Sequence, residues 1–304
     1  MKKSPLTVAM LLAVLATLLW SGNFIVARAV IHDISPVHLA FGRWLVASAI
    51  MVPLGMAALR RQWTQVLAAR WNIMLAGLFG VCIFNTIVYV AGHYSEAIPL
   101  ALLGTTSSPV FSFLLARIVL KEKIPWQRTA GLIVCIAGIL LILSKGNPST
   151  LLYLRFSPGD WWILLAAFSF AAYNIIVRKK PTHLGSVAYL TAVFFTGTIM
   201  LFPFALGNAV ISGLPHWSPG LVGMVVYLGA GTSVAAFLCW NVAIARLGAA
   251  RASLFGMLIP VFSSLEAIWL LHEKMLWAQA AGMVVVFAGV ALANLSMFST
   301  KKAG

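Results

Sequence analysis

The sequence predicts an all-α polytopic membrane protein, with ten transmembrane helices built as two inverted five-helix repeats. Three observations predict it. Apolar runs long enough to cross about 30 Å of hydrocarbon recur along the whole chain. Lys and Arg fall almost entirely in every second connection between those runs. A stretch in the middle of the chain also returns, without a gap, 151 residues later.

Composition sets the class. The 304 residues are 62% hydrophobic and only 9% charged, too little charge to cover a soluble domain of this length. The net charge of +15 would suit a nucleic-acid partner. The basic residues sit in short clusters between apolar runs, however, as the positive-inside rule requires, and nucleic-acid binding is rejected. Cys82, Cys135 and Cys239 lie within apolar runs and form no CxxC pair, so they read as small buried hydrophobes. No P-loop, HExxH, GxSxG or metal-ligand cluster occurs in the sequence, and neither a cofactor nor a metal is expected.

The spans follow in order. The first, 6–30, comes after Lys2 and Lys3 and superficially resembles a signal peptide. Its apolar run, 7–27, is longer than an ordinary h-region and further runs follow, so it reads as a retained helix. The second, 36–59, ends at Arg60 and Arg61. The third, 71–94, places Asn85, Tyr89 and His93 at i, i+4 and i+8, on one helix face. The fourth and fifth, 97–116 and 126–144, flank the Lys121-Glu122-Lys123 connection. The sixth, 161–177, follows the longest connection, 145–160, which is too short to hold a soluble domain. The seventh to tenth are 186–206, 221–245, 252–271 and 275–298.

Orientation comes from the charges. With the amino terminus cytoplasmic, sixteen of the 21 basic residues lie in cytoplasmic segments: Lys2, Lys3, Arg60, Arg61, Arg70, Arg117, Lys121, Lys123, Arg128, Arg178, Lys179, Lys180, Arg246, Arg251, Lys301 and Lys302. Four, Arg28, Lys145, Arg155 and Lys274, lie in outer segments, and Arg43 lies inside a span. This bias puts both termini in the cytoplasm of a bacterial inner membrane and calls for an even number of spans.

The repeat is direct. Residues 109–138 align on 260–289, and Pro109, Val110, Phe111, Ser112, Ala116, Leu120, Glu122, Lys123, Trp126, Ala130, Gly131, Ala137 and Gly138 each meet the same residue 151 later. The same shift sets Asn23 on Asn174, Tyr89 on Trp240 and Ser35 on Ser186. The halves are therefore 1–150 and 151–304, with five spans each. Five is odd, so the second half enters the membrane from the opposite side. Such halves can exchange inward-open and outward-open shapes around a central site.

These residues resemble the EamA family of the drug/metabolite transporter superfamily. Trp20-Ser21-Gly22-Asn23-Phe24 is similar to that family's W-G-x-N-F pattern, and both halves carry its P-V-F…L…E-K…W…G signature, at 109–131 and 260–282. The resemblance implies ten helices around a cavity and transport of a small molecule without ATP hydrolysis. Ser21 stands where the family more often has glycine, and Glu266 where it has an apolar or small residue.

Two ionisable residues stand inside the hydrocarbon, which is costly and points to function. Arg43 is seven residues after Pro36 and Glu266 seven before Glu273, so both lie roughly 10 Å below the outer face. Equal depth makes Arg43 and Glu266 a candidate charge pair. Neither is repeated, for Arg43 falls opposite Phe194 and Glu266 opposite Leu115. Arg43 is either an interhelical clamp or part of a binding site. Glu266 is either a hydrogen-bonded core acid or the site of a substrate ammonium or coupling proton, since apolar surroundings bring a carboxyl's proton exchange towards neutral pH. The cavity candidates are Trp20, Asn23, Asn85, Tyr89, His93, Ser108, Asn174, Trp240, Asn241 and Glu266. His93 is a candidate gate or proton sensor. Pro109 and Pro260 are expected to kink the fourth and ninth spans. Glu122 and Glu273 read as boundary residues on opposite sides of the membrane.

The expected function is a secondary transporter, exporting amino acids or similar small metabolites. Its partners are the substrate, the lipid bilayer and, as candidate coupling ion, protons. Uptake of a small metabolite and drug or toxic-compound export are alternatives. A membrane-embedded enzyme or sensor is the competing class, and no acid/base pair in the sequence favours it.

Overall fold

The computed structural model describes residues 5–30, 32–94, 97–144, 146–147, 149, 158–271 and 276–294. Among them every regular element is helical. The first half contains α1 (Pro5–Ala29), α2 (Pro36–Arg61), the short α3 (Trp63–Ala68), α4 (Arg70–Gly77), α5 (Phe84–Tyr94), α6 (Ala97–Val119) and α7 (Trp126–Ser144). The second contains α8 (Pro158–Arg178), α9 (Ser186–Ser212), α10 (Pro219–Tyr227), α11 (Ala236–Leu247), α12 (Ala249–Phe255), α13 (Ile259–Leu271) and α14 (Trp277–Asn294). Six helical segments among the described residues are long and apolar enough to cross a membrane, and four shorter apolar helices accompany them. The chain is a multi-pass membrane protein, as its apolar runs require. Glu273, Lys274, most of the 145–160 connection, and the side chains of His93 and Ser264 lie outside the described residues.

Local chemistry explains several helix ends. Ser35 caps α2 by accepting the His38 amide at 3.3 Å, and Pro36 fills the first turn, where its missing N–H costs nothing. Ser218 and Pro219 start α10 in the same way. Gly248 ends α11 with φ +88°, a left-handed conformation that glycine adopts without strain.

Two interruptions went unread in the sequence. The third span is broken by a π-helical segment, Leu78–Ile83, between α4 and α5. The eighth is broken by another, Leu228–Ala235, between α10 and α11. A π turn releases carbonyls from the regular ladder, and such turns occur often at functional sites. Side chains bond carbonyls of both segments here. Phe79 O accepts from Ser169 Oγ at 2.7 Å, and Gly80 O from Asn85 Nδ2 at 3.3 Å. Thr232 O accepts from both Trp20 Nε1, at 2.8 Å, and Arg43 Nη2, at 3.2 Å. In the ninth span a 3₁₀ turn, Gly256–Leu258, precedes Pro260, so the span is two helices joined by a tight turn. Pro109 stands inside α6, which continues past it.

The packing is regular. α7 lies along α14, α2 along α9, α6 along α8, α1 along α11 and α13, and α5 along α8. Exchanging each helix for its mate 151 residues away returns the same set of neighbours. The α7–α14 contact is the broadest and is made backbone to backbone. A methyl added at Gly138 would stand 2.8 Å from Gly282 O, and one at Gly131 2.6 Å from Gly289 O. Small residues let membrane helices approach this closely, and the approach is a main source of their affinity. Cys135 sits on this seam, its thiol 3.5 Å from Val286 O.

Candidate functional site

Between α1, α2, α5, α6, α8, α11 and the broken ninth span lies a cavity of about 80 Å³. Aromatic rings form much of its wall. Trp20 meets Trp240 edge-on at 4.9 Å between centroids, Trp20 meets Phe170 at 5.5 Å, and Phe84 meets Phe170 at 4.7 Å. Asn23, Arg43, Asn85, Ser108 and Ser253 supply its polar lining. Five of the sequence candidates therefore line one space: Trp20, Asn23, Asn85, Ser108 and Trp240. Phe84, Val88, Phe170 and Ile259 also line it, though nothing in an apolar membrane sequence distinguished them from lipid-facing residues.

Arg43, on α2, is 1% exposed and anchors the polar side. Its Nε donates to Ser233 Oγ at 2.6 Å. Nη1 donates to Asn23 Oδ1 and to the Tyr89 hydroxyl, each at 3.0 Å. Nη2 donates to the Thr232 carbonyl at 3.2 Å. Tyr89 in turn donates to Asn23 Oδ1 at 3.2 Å. Every acceptor is neutral. Arg43 thus ties α1, α2, α5 and the second π segment together.

The expected Arg43–Glu266 pair is not made. Arg43's acceptors are the groups just named. Glu266 lies against α1 instead, where its Oε1 is 2.5 Å from Ser21 Oγ. Its Oε2 is buried and has no hydrogen-bond partner among the described residues. The single ion pair found among the described residues joins Arg178 to Glu122 at 3.8 Å, linking the end of α8 to the α6–α7 connection.

On the other side of the cavity, Trp240 Nε1 donates to Asn174 Oδ1 at 2.9 Å, and Asn174 Nδ2 donates to Ser112 Oγ at 3.5 Å. Asn174 is fully buried behind the Trp240 ring and fixes its orientation. Asn241 does not line the cavity. Its Nδ2 donates to the Tyr173 hydroxyl at 2.6 Å and to Phe237 O at 2.8 Å. Tyr89 reaches the site through Arg43 and Asn23 rather than by lining it, and Glu266 stands apart from the lining. Pairing of Asn23 with Tyr89 and of Asn174 with Trp240 thus reproduces, in space, the correspondence of positions 151 residues apart.

Comparison with known proteins gives matches along the whole chain. The model of the EamA-like transporter family matches twice, at residues 7–144 and 157–295. An "Uncharacterized transporter" of Archaeoglobus fulgidus is 30% identical over 288 residues, covering 93% of this chain and 96% of that protein. A "Probable amino-acid metabolite efflux pump" of Salmonella typhimurium is 24% identical, covering 92% of each chain. A "Probable terminal-alkyne amino-acid exporter" of Streptantibioticus cattleyicolor is 27% identical, covering 92% of this chain and 91% of that protein. A crystal structure superposes with a TM-score of 0.70 over 97% of this chain and 99% of the other, at 20% identity, a likeness of fold.

Proposed function

The chain belongs to the EamA-like transporter family, and on that premise we propose that it is a secondary transporter exporting amino acids or similar small amphipathic metabolites by alternating access. One observation carries the reading. The cavity lies between two equivalent pairs, Asn23 with Tyr89 and Asn174 with Trp240, and takes one wall residue from each. A site at the junction of two similar halves can face either side as the halves exchange shapes.

Several findings support two inverted halves, 1–150 and 151–304, of five spans each. The family model matches twice. The helix neighbours map onto one another under the 151-residue shift. The π segments fall at corresponding places in the third and eighth spans. The charge distribution supports cytoplasmic termini and a bacterial inner membrane. A lining that mixes aromatic and polar side chains, and the names of two relatives, support the substrate class.

Protons are the coupling ion that best fits Glu266. Ser21 Oγ lies 2.5 Å from both Leu18 O and Glu266 Oε1. One hydroxyl carries one proton and cannot donate to two acceptors at once. The arrangement is satisfied when Glu266 is the acid and donates to Ser21, while Ser21 donates to Leu18.

The test is flux in proteoliposomes without nucleotide. Substrate-dependent exchange of labelled amino acids, driven by their own gradient or by a proton gradient, is the expected result. Absence of flux for amino acids and related metabolites under both gradients would reject the function.

A further inference from the structure

We infer that Arg43 is a docking point for a carboxylate, so that the cavity takes organic anions or zwitterions with an apolar or aromatic body and excludes ligands that lack the acid group. This deepens the transport reading and rests on it.

The first support is charge. Arg43 is fully buried, and its acceptors, Asn23, Tyr89, Ser233 and the Thr232 carbonyl, are all neutral. A guanidinium is ionised at any accessible pH, and a buried charge without a counter-charge is costly. Among the described residues no Asp or Glu lines the cavity. An anion entering the cavity would supply what the protein omits.

The second support is the count of donors. A guanidinium has five N–H groups, and the four contacts use four of them. The fifth, on Nη2, has no acceptor among the described residues. Carboxylates engage arginine best through two parallel N–H bonds. The free Nη2 proton supplies one, and an Nη1 proton supplies the other once Tyr89 yields its place. Yielding costs little, because the Tyr89 hydroxyl keeps its bond to Asn23 Oδ1.

The third support is the aromatic lining, which begins beside Arg43, where Trp20 Nε1 shares the Thr232 carbonyl. Trp20, Phe170 and Trp240 offer faces and edges to an apolar body, and aromatic faces also accept an ammonium. The lining chemistry therefore suits an α-amino acid with an apolar side chain, which the cavity of about 80 Å³ would admit on opening, without needing an internal carboxylate.

The experiment compares matched ligands on the full-length protein in nanodiscs. L-Phenylalanine is paired with L-phenylalaninamide, and 3-phenylpropionate with 3-phenylpropanol. Binding is read from tryptophan fluorescence and from ligand-induced thermal stabilisation. The wild type is expected to bind each acid at least about tenfold more tightly than its neutral or amide counterpart, the scale of one charge-assisted contact. Arg43→Gln should erase the preference and Arg43→Lys should keep part of it. Equal affinity within the pairs, retention of the preference by Arg43→Gln, or no binding of either member by the wild type would each overturn the assignment. The wild-type comparison needs no variant, so a misfolded Arg43→Gln leaves the test intact. A carboxylate preference without flux would sustain the docking point and reject transport. Flux of amines and acids alike would sustain transport and reject the docking point.

Discussion

The two sides of the cavity occupy equivalent places in the sequence yet are built for different tasks. On one side Asn23 and Tyr89 hold Arg43; on the other, Asn174 holds Trp240, and Phe194 occupies the place of Arg43. Phe194 is fully buried against Trp44, at 4.9 Å between centroids, and Phe237, at 5.8 Å. The asparagine and its aromatic partner belong to the common scaffold. The cation belongs to one side only. The cavity therefore carries its buried cation on one side only, which gives an amphipathic ligand one polar anchor.

The strongest way to break this comparison is to move the charge. Phe194→Arg puts a guanidinium among the rings of Trp44 and Phe237. Burial of an unpaired charge costs several kcal/mol, and the expected outcome is loss of folded protein by size-exclusion chromatography. A monodisperse, stable Phe194→Arg variant would show that the second side tolerates a cation and that the polarity is incidental.

A smaller change compares the two asparagines. Asn23→Ala removes an acceptor from a charged group, whereas Asn174→Ala removes one from a neutral indole. Hydrogen bonds to charged groups contribute about 1.5–3 kcal/mol, and neutral ones about 0.5–1.5. Thermal denaturation should therefore show the larger loss for Asn23→Ala. Equal losses would place Arg43's stabilisation in Ser233 and the Thr232 carbonyl.

The difference between the two sides was partly legible in the sequence. The shift of 151 residues matched Asn23 with Asn174 and Tyr89 with Trp240, and the structure pairs those residues in space. Depth was legible too, because the rise per residue is fixed, but the direction in which a side chain points around the helix was not. Equal depth suggested that Arg43 and Glu266 meet, but each bonds other groups instead. The π turns, which lie on other helices, were not legible either. An inserted residue rotates everything after it, and Leu78–Ile83 and Leu228–Ala235 carry no composition that announces one. The Thr232 carbonyl that receives Arg43 lies within the second of them. The aromatic wall was hidden for another reason: Phe84 and Phe170 look like any apolar residue of a membrane helix until packing shows which way they face.

Glu266 offers a third contrast, since its mate Leu115 cannot carry a proton. Glutamine mimics the protonated acid, so Glu266→Gln is expected to fold and to transport at every pH as the wild type does at low pH. Flux measured across neutral pH in proteoliposomes would then vary in the wild type and stay flat in the variant. A pH profile unchanged by the substitution would remove Glu266 from the coupling mechanism and leave Ser21 as a helix–helix contact.

The smallest effect tests the scaffold itself, at the starts of α2 and α9. Ser35 caps α2 with its side chain, donates to Asn208 Oδ1 at 2.8 Å, and lies 3.0 Å from His38 Nδ1. The corresponding turn before Ser186 uses Gly185, whose amide donates to Gln62 Oε1 at 2.8 Å and which has no side-chain cap. Replacing a serine cap with alanine costs about 1 kcal/mol. Ser35→Ala should therefore lower the melting temperature measurably. Gly185→Ala should do so by only a few tenths of a kcal/mol, because its new methyl would meet the movable end of Gln62 at 3.2 Å. If both variants melt alike, the two helices are held by their mutual packing rather than by their caps. In that case the α2–α9 pair, which carries Arg43 on one member and Phe194 on the other, would be a rigid unit whose ends contribute nothing to its stability.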